Sequence, residues 1–256
     1  MSIALQVALV MVTILVVLLV IGAPIGVAIG MSSAVSMICM IPADVSFATS
    51  AQRIFAGSNS FSLIAIPFFI LAGNIMNNGG IATRLVNCAK VISGRMPGAL
   101  AQSNVVANML FGAISGSGAA AAAAMGGTIG PLEEKEGYDK NYSTAVNVAS
   151  APVGMLIPPS NTMIVYSSVA GSVSIAALFM AGYIPGLLWG GAFMILAGIM
   201  AKKRGYQVEQ RVPVKVSLKT FWQAITSLLL IVIVIGGILG GIFTATEGFA
   251  IAVEYA

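Results

Sequence analysis

Long apolar runs separated by short polar breaks make up most of this chain. Residues 5–21 are a nearly unbroken run of Leu, Val and Ile, and Gly22-Ala23-Pro24 separates them from a second run at 25–41. A third run covers 61–76 and ends in Asn77-Asn78-Gly79-Gly80, a typical turn sequence. A helix of about 20 apolar residues crosses a bilayer. The pattern therefore predicts an all-α integral membrane protein with several spans.

Two segments beside these runs are too polar to be spans. Residues 42–60 contain Asp44 and Arg53, and we expect them to form a connector. Residues 81–95 place apolar side chains on one helical face and basic ones elsewhere, which favours a helix lying in the membrane interface. An ordinary cytoplasmic linker helix is the alternative. The apolar face of 81–95 consists of Ile81, Leu85, Cys88, Ala89 and Ile92.

Residues 99–131 are apolar but carry Ser115-Gly116-Ser117-Gly118 in the middle. Each half is too short to cross a hydrocarbon layer of about 30 Å. The segment therefore predicts a re-entrant helical hairpin that enters and leaves on one side. Its second arm is rich in Ala and Gly, so its side chains permit close packing. A charged patch, Glu133-Glu134-Lys135-Glu136, follows the hairpin.

The run at 142–171 is interrupted by Pro158-Pro159-Ser160-Asn161, which predicts a span broken at mid-length. Residues 176–200 form an uninterrupted run, and a last long run covers about 220–243. Small residues spaced by four allow helices to approach closely in lipid. Gly22, Gly26 and Gly30 form such a stripe on one helical face, and Gly182, Gly186 and Gly190 are also spaced by four within the run at 176–200.

Composition supports a membrane protein and excludes several functions. Of 256 residues, 58% are hydrophobic and 8% charged, with a mean hydropathy of +0.99, leaving room for about six or seven spans covered by the lipid bilayer. No basic face remains outside the spans, so nucleic-acid binding is not expected. The chain has no His, and we find no acid pair, phosphate loop, metal cluster or triad, so we do not expect an enzyme.

The Lys and Arg residues indicate an orientation, because basic loops face the cytoplasm. Two clusters fall on the same side only if residues 99–131 turn back, which supports the hairpin. The N-terminus is then outside, in the periplasm of a Gram-negative inner (cytoplasmic) membrane. Residues 1–21 lack a positive region and a cleavage site, so we expect a retained span. The clusters are Arg84, Lys90 and Arg95, and Lys202, Lys203, Arg204, Arg211, Lys215 and Lys219.

The two helix breaks are the candidate site. Unsatisfied backbone groups persist at membrane depth only where other groups replace the lost hydrogen bonds. Carbonyls and hydroxyls at such breaks bind small hard cations, and helix N-termini attract carboxylates. Acidic residues are nearly absent from the spans, Glu247 and Glu254 excepted, so Na⁺ fits better than H⁺. The alternative is that both breaks serve packing. For Asn104, Asn108 and Asn147, interhelical hydrogen bonding is favoured over a ligand role.

Four segments of the chain carry a family resemblance, namely Ser62 to Gly73 (SLIAIPFFILAG), Gly112 to Ala119 (GAISGSGA), Leu156 to Asn161 (LIPPSN), and Gly241 to Glu247 (GIFTATE). They resemble the large membrane subunit of TRAP (tripartite ATP-independent periplasmic) transporters, and the last segment resembles the link into that family's second repeat. The resemblance covers the whole chain.

The resemblance implies a Na⁺-driven, elevator-type importer of organic acids such as dicarboxylates, sialic acid or sugar acids. It implies two inverted repeats, each with one re-entrant hairpin, and two partners, a small four-helix membrane subunit and a periplasmic substrate-binding protein. It also implies a division into scaffold spans with an interfacial helix (1–97), a transport element (98–175) and further spans leading into a second repeat (176–256). The Na⁺ and substrate site carries over to Ser115, Gly116, Ser117, Gly118, Pro158, Pro159, Ser160 and Asn161.

The chain matches only the first half of that family pattern, so we expect a truncated or divided protein. Two other functions stay open. One is a dicarboxylate/Na⁺ symporter of the same superfamily that needs no binding protein. The other is a membrane scaffold that does not transport, in which the helix breaks bind neither ion nor substrate.

Overall fold

The computed structural model describes residues 3–59, 61–171, 173–206 and 214–256. All regular secondary structure within these ranges is helical, as the sequence predicts. The chain divides into two compact units, Met1–Ser60 and Phe61–Ala256. The candidate site lies wholly in the second unit.

The first unit contains three helices, α1 (Ile3–Val20), α2 (Ile25–Ile38) and α3 (Ala43–Ser58). Helix α2 packs against both of its neighbours. The polar connector predicted at 42–60 is mostly helical, since Ala43–Ser58 form α3. Pro42 starts this helix as its N-cap residue, and no proline interrupts the 16 residues that follow. The Ser46 hydroxyl donates to the Ala34 carbonyl at 2.9 Å and ties α3 to α2.

The first glycine stripe does not pack as predicted. Gly22 lies outside α2, and a methyl group placed on Gly22, Gly26 or Gly30 would meet no atom within 4 Å. Spacing by four places small residues on one face, but it does not specify that a helix covers this face.

The second unit opens with a short 3₁₀ turn, Phe61–Ile64, and contains ten helices within the described residues. They are α4 (Ala65–Asn78), α5 (Ile81–Ser93), α6 (Ala99–Ser115), α7 (Gly118–Thr128), α8 (Gly130–Lys135), α9 (Lys140–Ser150), α10 (Asn161–Ala170), α11 (Ile175–Lys203), α12 (Val214–Leu239) and α13 (Ala245–Tyr255), with a second 3₁₀ turn at Ala151–Met155.

Two of the described helices, α1 and α11, are long and apolar enough to cross a membrane. They become three if both segments of α12, which bends by 47°, form one span. This is fewer than the six or seven expected, because several apolar runs form shorter helices. The run at 61–76 is one case, since α4 has only 14 residues. Helix α4 also continues to Asn78, so the predicted turn shortens to Gly79 and Gly80.

The amphipathic segment forms α5 with the predicted face inward. Ile81, Leu85, Cys88 and Ala89 are buried, and α5 packs against α6 and α12. Ile92 is the exception, with 54% of its surface exposed. Because protein covers most of this face, amphipathicity alone does not require a lipid surface. The interfacial position stays a prediction, as does the orientation. Arg211 and the Lys215 side chain lie outside the described residues.

Glu247, one of two acids noted in the spans, caps a helix. The Thr244 amide and hydroxyl donate to one Glu247 carboxylate oxygen at 2.8 and 2.9 Å, and the Glu247 amide donates back to the Thr244 hydroxyl at 3.4 Å. This capping box starts α13 by satisfying donors that the first turn leaves free.

Candidate functional site: a hairpin tip against a helix break

The hairpin is present as two helices joined by two residues. Helix α6 has 17 residues and α7 has 11, so the arms are about 25 Å and 16 Å long. Gly116 ends α6 with a φ of +62°, a left-handed conformation that glycine adopts readily. The arms pack against each other. The helical hairpin is thus confirmed, while its re-entry into a bilayer stays a prediction.

The two serines at the tip hold the turn together. The Ser115 hydroxyl donates to the Ser117 carbonyl at 3.3 Å, and the Ser117 amide donates to the Ser115 hydroxyl at 3.4 Å. The Ser117 hydroxyl accepts from the Ala120 amide at 3.2 Å and so caps α7. A serine oxygen has two lone pairs, so each hydroxyl keeps acceptor capacity for a cation.

The second break is longer than the sequence indicates. Helix α9 ends at Ser150, the 3₁₀ turn follows, and α10 begins only at Asn161. Pro152 removes one backbone donor and contributes to the early end of α9. The Pro158–Pro159 peptide bond is cis, and both prolines are buried. Ser160 is fully buried, and its hydroxyl donates to the Met155 carbonyl.

The structure brings the tip and the break together. A methyl group at Gly116 would lie 2.4 Å from Phe69 Cε1 and 2.9 Å from Asn161 Nδ2. A methyl group at Gly118 would lie 3.0 Å from Met155 Sδ. The tip therefore sits between the first residue of α10 and the turn that ends α9. The Asn161 Oδ1 atom is buried and makes no hydrogen bond in the described structure.

Behind the tip, two backbones cross in contact. A methyl group on Gly112 would lie 2.7 Å from Gly154 Cα, and one on Gly154 would lie 2.5 Å from Gly112 Cα and 2.6 Å from the Asn108 carbonyl. Only glycine at both positions allows α6 to touch the 3₁₀ turn here. This crossing sets the distance between the tip and the break.

The second glycine stripe, at 182, 186 and 190, packs closely against other segments. A methyl group on Gly182 would lie 2.3 Å from Met163 Cε and 2.5 Å from the Leu156 carbonyl oxygen. One on Gly186 would lie 2.7 Å from Ile157 Cγ1. One on Gly190 would lie 2.5 Å from Met109 Sδ. Helix α11 thus supports the break and α6 through its glycine face.

Asn108 and Asn147 make interhelical hydrogen bonds, as predicted. Asn104 Oδ1 accepts from Asn108 within the same helix, and Asn104 Nδ2 is buried without a hydrogen bond in the described structure. Asn108 Nδ2 lies 2.9 Å from Asn104 Oδ1, 3.0 Å from Asn147 Oδ1 and 2.9 Å from Ser150 Oγ. Asn147 Nδ2 donates to the Ala122 carbonyl at 2.8 Å. Asn108 therefore links α6 to α9, and Asn147 links α9 to α7.

Replacing Asn108 by alanine is expected to lower the free energy of unfolding by about 1–3 kcal/mol, because buried acceptors on Asn104 and Asn147 lose their donor. Thermal unfolding of the purified chain in detergent measures the change. Asn141→Ala, at an exposed asparagine in α9, is the matched control. Equal shifts for both variants would contradict the assigned role.

The junction offers neutral oxygens rather than charges. These are the serine hydroxyls of the tip, the free amide oxygen of Asn161 and the last carbonyls of α6, which helix geometry leaves without intrahelical donors. Such a set suits a small hard cation, and the N-termini of α7 and α10 favour an anion nearby.

Three contributors to this site were not expected from the sequence. Phe69 and Met155 pack against the tip, and Gly154 forms the crossing. Phe69 lies within a segment that resembles the TRAP family, and this resemblance could have indicated its place at the site. No sequence signal indicated Gly154, because its partner Gly112 is 42 positions away and only the tertiary structure brings the two together.

A family model for the tripartite ATP-independent periplasmic transporter, DctM component, matches residues 12–256. The chain belongs to this family. The DctM-family chain is also 54% identical over 224 residues to the uncharacterized protein YgiK of Salmonella typhimurium, covering 88% of the chain and 52% of YgiK.

Two further relatives of this DctM-family chain carry functional names. It is 38% identical to the C4-dicarboxylate TRAP transporter large permease protein DctM of Rhodobacter capsulatus, over 81% of the chain and 50% of the relative. It is 40% identical to the sialic acid TRAP transporter large permease protein SiaM of Vibrio cholerae, over 81% and 48%. The chain thus spans about half the length of these relatives.

Proposed function

We propose that this DctM-family chain forms the first repeat of a Na⁺-coupled importer of organic acids, and that Na⁺ binds between the hairpin tip and the helix break. The observation that carries the proposal is the Asn161 amide oxygen, which is buried without a partner while its side chain faces Gly116. A buried acceptor without a donor costs about 1–3 kcal/mol. A cation at this point would remove that cost.

The surrounding architecture supports a site rather than packing alone. Both breaks meet at one point, and α11 and the Gly112–Gly154 crossing hold them there. The asparagine network joins α6, α7 and α9 into one body. An elevator mechanism, in which such a body carries its site through the membrane, is consistent with this rigidity and belongs to the proposal.

The relatives support the choice of substrate and partners in this proposal. The names of DctM and SiaM specify a C4-dicarboxylate and sialic acid, which are both carboxylates. We therefore propose a carboxylate substrate, with the N-termini of α7 and α10 contributing to its recognition. A small four-helix membrane subunit and a periplasmic binding protein are the proposed partners in a bacterial inner membrane.

Replacing Asn161 by alanine is expected to weaken Na⁺ binding at least tenfold, because the site loses a neutral oxygen ligand. Binding of ²²Na⁺ to the purified chain in detergent measures the effect at pH 6. Thr162→Ala is the matched control, since Thr162 is the next residue of α10 and is exposed. Unchanged binding in Asn161→Ala, with Na⁺ bound by the wild type, would refute the assignment.

Transport is tested in a complete large subunit that carries this sequence as its first half, reconstituted with both partners in liposomes. Uptake of labelled organic acids should require a Na⁺ gradient and the binding protein, and Asn161→Ala should abolish it. Uptake without the binding protein would instead support the symporter of the same superfamily. No uptake and no Na⁺ binding would support the scaffold.

A further inference from the structure

A polar cavity lies at the end of the hairpin opposite the tip. It has a volume of about 320 Å³ and is bordered by α6, the end of α7, α8 and α9. Asn104, which borders it, precedes Ser115 by 11 residues along α6, or about 16 Å of helix. The cavity is therefore separate from the junction of tip and break.

Glu133 is the distinctive residue of this cavity. The sequence places it in a charged patch, but its side chain is only 1% exposed, and neither carboxylate oxygen makes a hydrogen bond in the described structure. Its backbone is fixed, because its amide donates to the Ile129 carbonyl and its carbonyl accepts from the Tyr138 amide, both at 2.9 Å. The side chain is thus held inside the cavity.

Neutral polar groups surround the carboxylate. The Ser143 hydroxyl and the Asn104 amide nitrogen are buried without hydrogen bonds, yet lie close enough to favour the ionised form of Glu133. Asn147 completes this side of the cavity.

Among the described residues that line this cavity, no buried positive charge offsets the carboxylate, because Lys140 is exposed. Burial raises the pKa of Glu133 to about 7, although Ser143 and Asn104 lower it in part. The other titratable groups facing the cavity are Glu134, Tyr138 and Lys140, and Tyr142 lies nearby on α9. A buried ionised carboxylate is unfavourable without a bound positive charge.

We propose that this cavity is a second cation site, in which the Glu133 carboxylate binds a small monovalent cation together with the Ser143 hydroxyl. One buried carboxylate matches one positive charge. The cavity also has room for water molecules that complete the coordination shell. This inference does not depend on the Na⁺ site at the tip, because the two sites share no ligand.

The two sites differ in their pH dependence, which separates them by experiment. A cation at Glu133 competes with a proton, so its binding weakens as the pH falls through the pKa. With a pKa of about 7, the ionised fraction falls about tenfold between pH 8 and pH 6. The neutral ligands of the tip do not titrate in this range.

The test measures ²²Na⁺ binding to the purified chain at pH 8 and pH 6 for wild type, Glu133→Gln and Glu136→Gln. Glu136 is an exposed acid of the same patch outside the cavity, and it serves as the matched control. Wild type and Glu136→Gln should show a component about tenfold weaker at pH 6, and Glu133→Gln should lack it. Asn161→Ala should keep this component, so failure of the tip site is distinguishable from failure here.

Calorimetry of the wild type in buffers of different ionisation enthalpy gives a second measurement that needs no variant. Na⁺ binding at pH 7 should release about half a proton per ion at this site. A pH-dependent component that persists in Glu133→Gln would overturn the proposal. So would Na⁺ binding without proton release, or a group that titrates near pH 7 without any effect of Na⁺.

Discussion

Replacing Gly154 by alanine is expected to lower the free energy of unfolding by about 3 kcal/mol, the largest stability loss of any single methyl group at this site. The new methyl group would lie 2.5 Å from Gly112 Cα and 2.6 Å from the Asn108 carbonyl oxygen. These are backbone atoms and cannot rotate away, so α6 and the 3₁₀ turn must separate. Thermal or denaturant unfolding of the purified chain measures the loss.

Gly127→Ala is the matched control for this prediction. Gly127 lies in α7, is exposed, and a methyl group there would meet no atom within 4 Å. Alanine at a helical position is favoured over glycine, so this variant should gain about 0.5 kcal/mol. Opposite signs for the two variants would establish the crossing. A Gly154→Ala chain as stable as Gly127→Ala would show that the two backbones do not meet as described.

Replacing Gly116 by alanine is expected to abolish Na⁺ binding at the tip. Two effects combine there, because φ is +62° and the methyl group would lie 2.4 Å from Phe69 Cε1 and 2.9 Å from Asn161 Nδ2. The first costs about 1–2 kcal/mol. The second displaces the amide group that we propose as a ligand. Binding of ²²Na⁺ at pH 6 isolates this site, because the Glu133 component is then suppressed.

Gly137→Ala separates strain from displacement. Gly137 also has a positive φ, of +78°, but a methyl group there would have open space around it. Both variants should lose similar stability from backbone strain, and only Gly116→Ala should lose Na⁺ binding. Equal binding in the two variants would refute a cation site at the tip.

The sequence predicted those parts of the fold that depend on local chemistry. The Gly116 turn ends α6, and the interruption before Asn161 breaks the following run, because glycine and proline act on their own backbone. The Asn108 network also followed from the cost of polar groups in an apolar run. Predictions failed where the packing of a helix face depended on whether another segment covers that face. The glycines at 22, 26 and 30 and those at 182, 186 and 190 have the same spacing, yet only the second stripe is covered.

The sequence predicted where along the chain the site lies, but not the tertiary contacts that hold it together. The interrupted segments indicated the two helix breaks, and the resemblance to the TRAP family implied a site between them, where the structure places Gly116 against Asn161. Contacts that join distant positions, such as Gly112 with Gly154, leave no local signal in one sequence. Glu133 was hidden for a different reason. Three other charged residues of its patch are exposed, and nothing in its local sequence distinguishes the one that folds inward.

Gly182, Gly186 and Gly190 leave three gaps along one face of α11, and a side chain from another segment fills each gap. Met163, Ile157 and Met109 fill these gaps in turn, and successive gaps are about 6 Å apart along the helix axis. If α11 moved along its axis by less than this spacing, these three side chains would clash with the larger residues between the glycines. The fit therefore locks α11 to the broken helix and to the hairpin against axial displacement. If the hairpin and the broken helix move through the membrane, α11 must therefore move with them. The surface along which they move must then lie on the far side of α11.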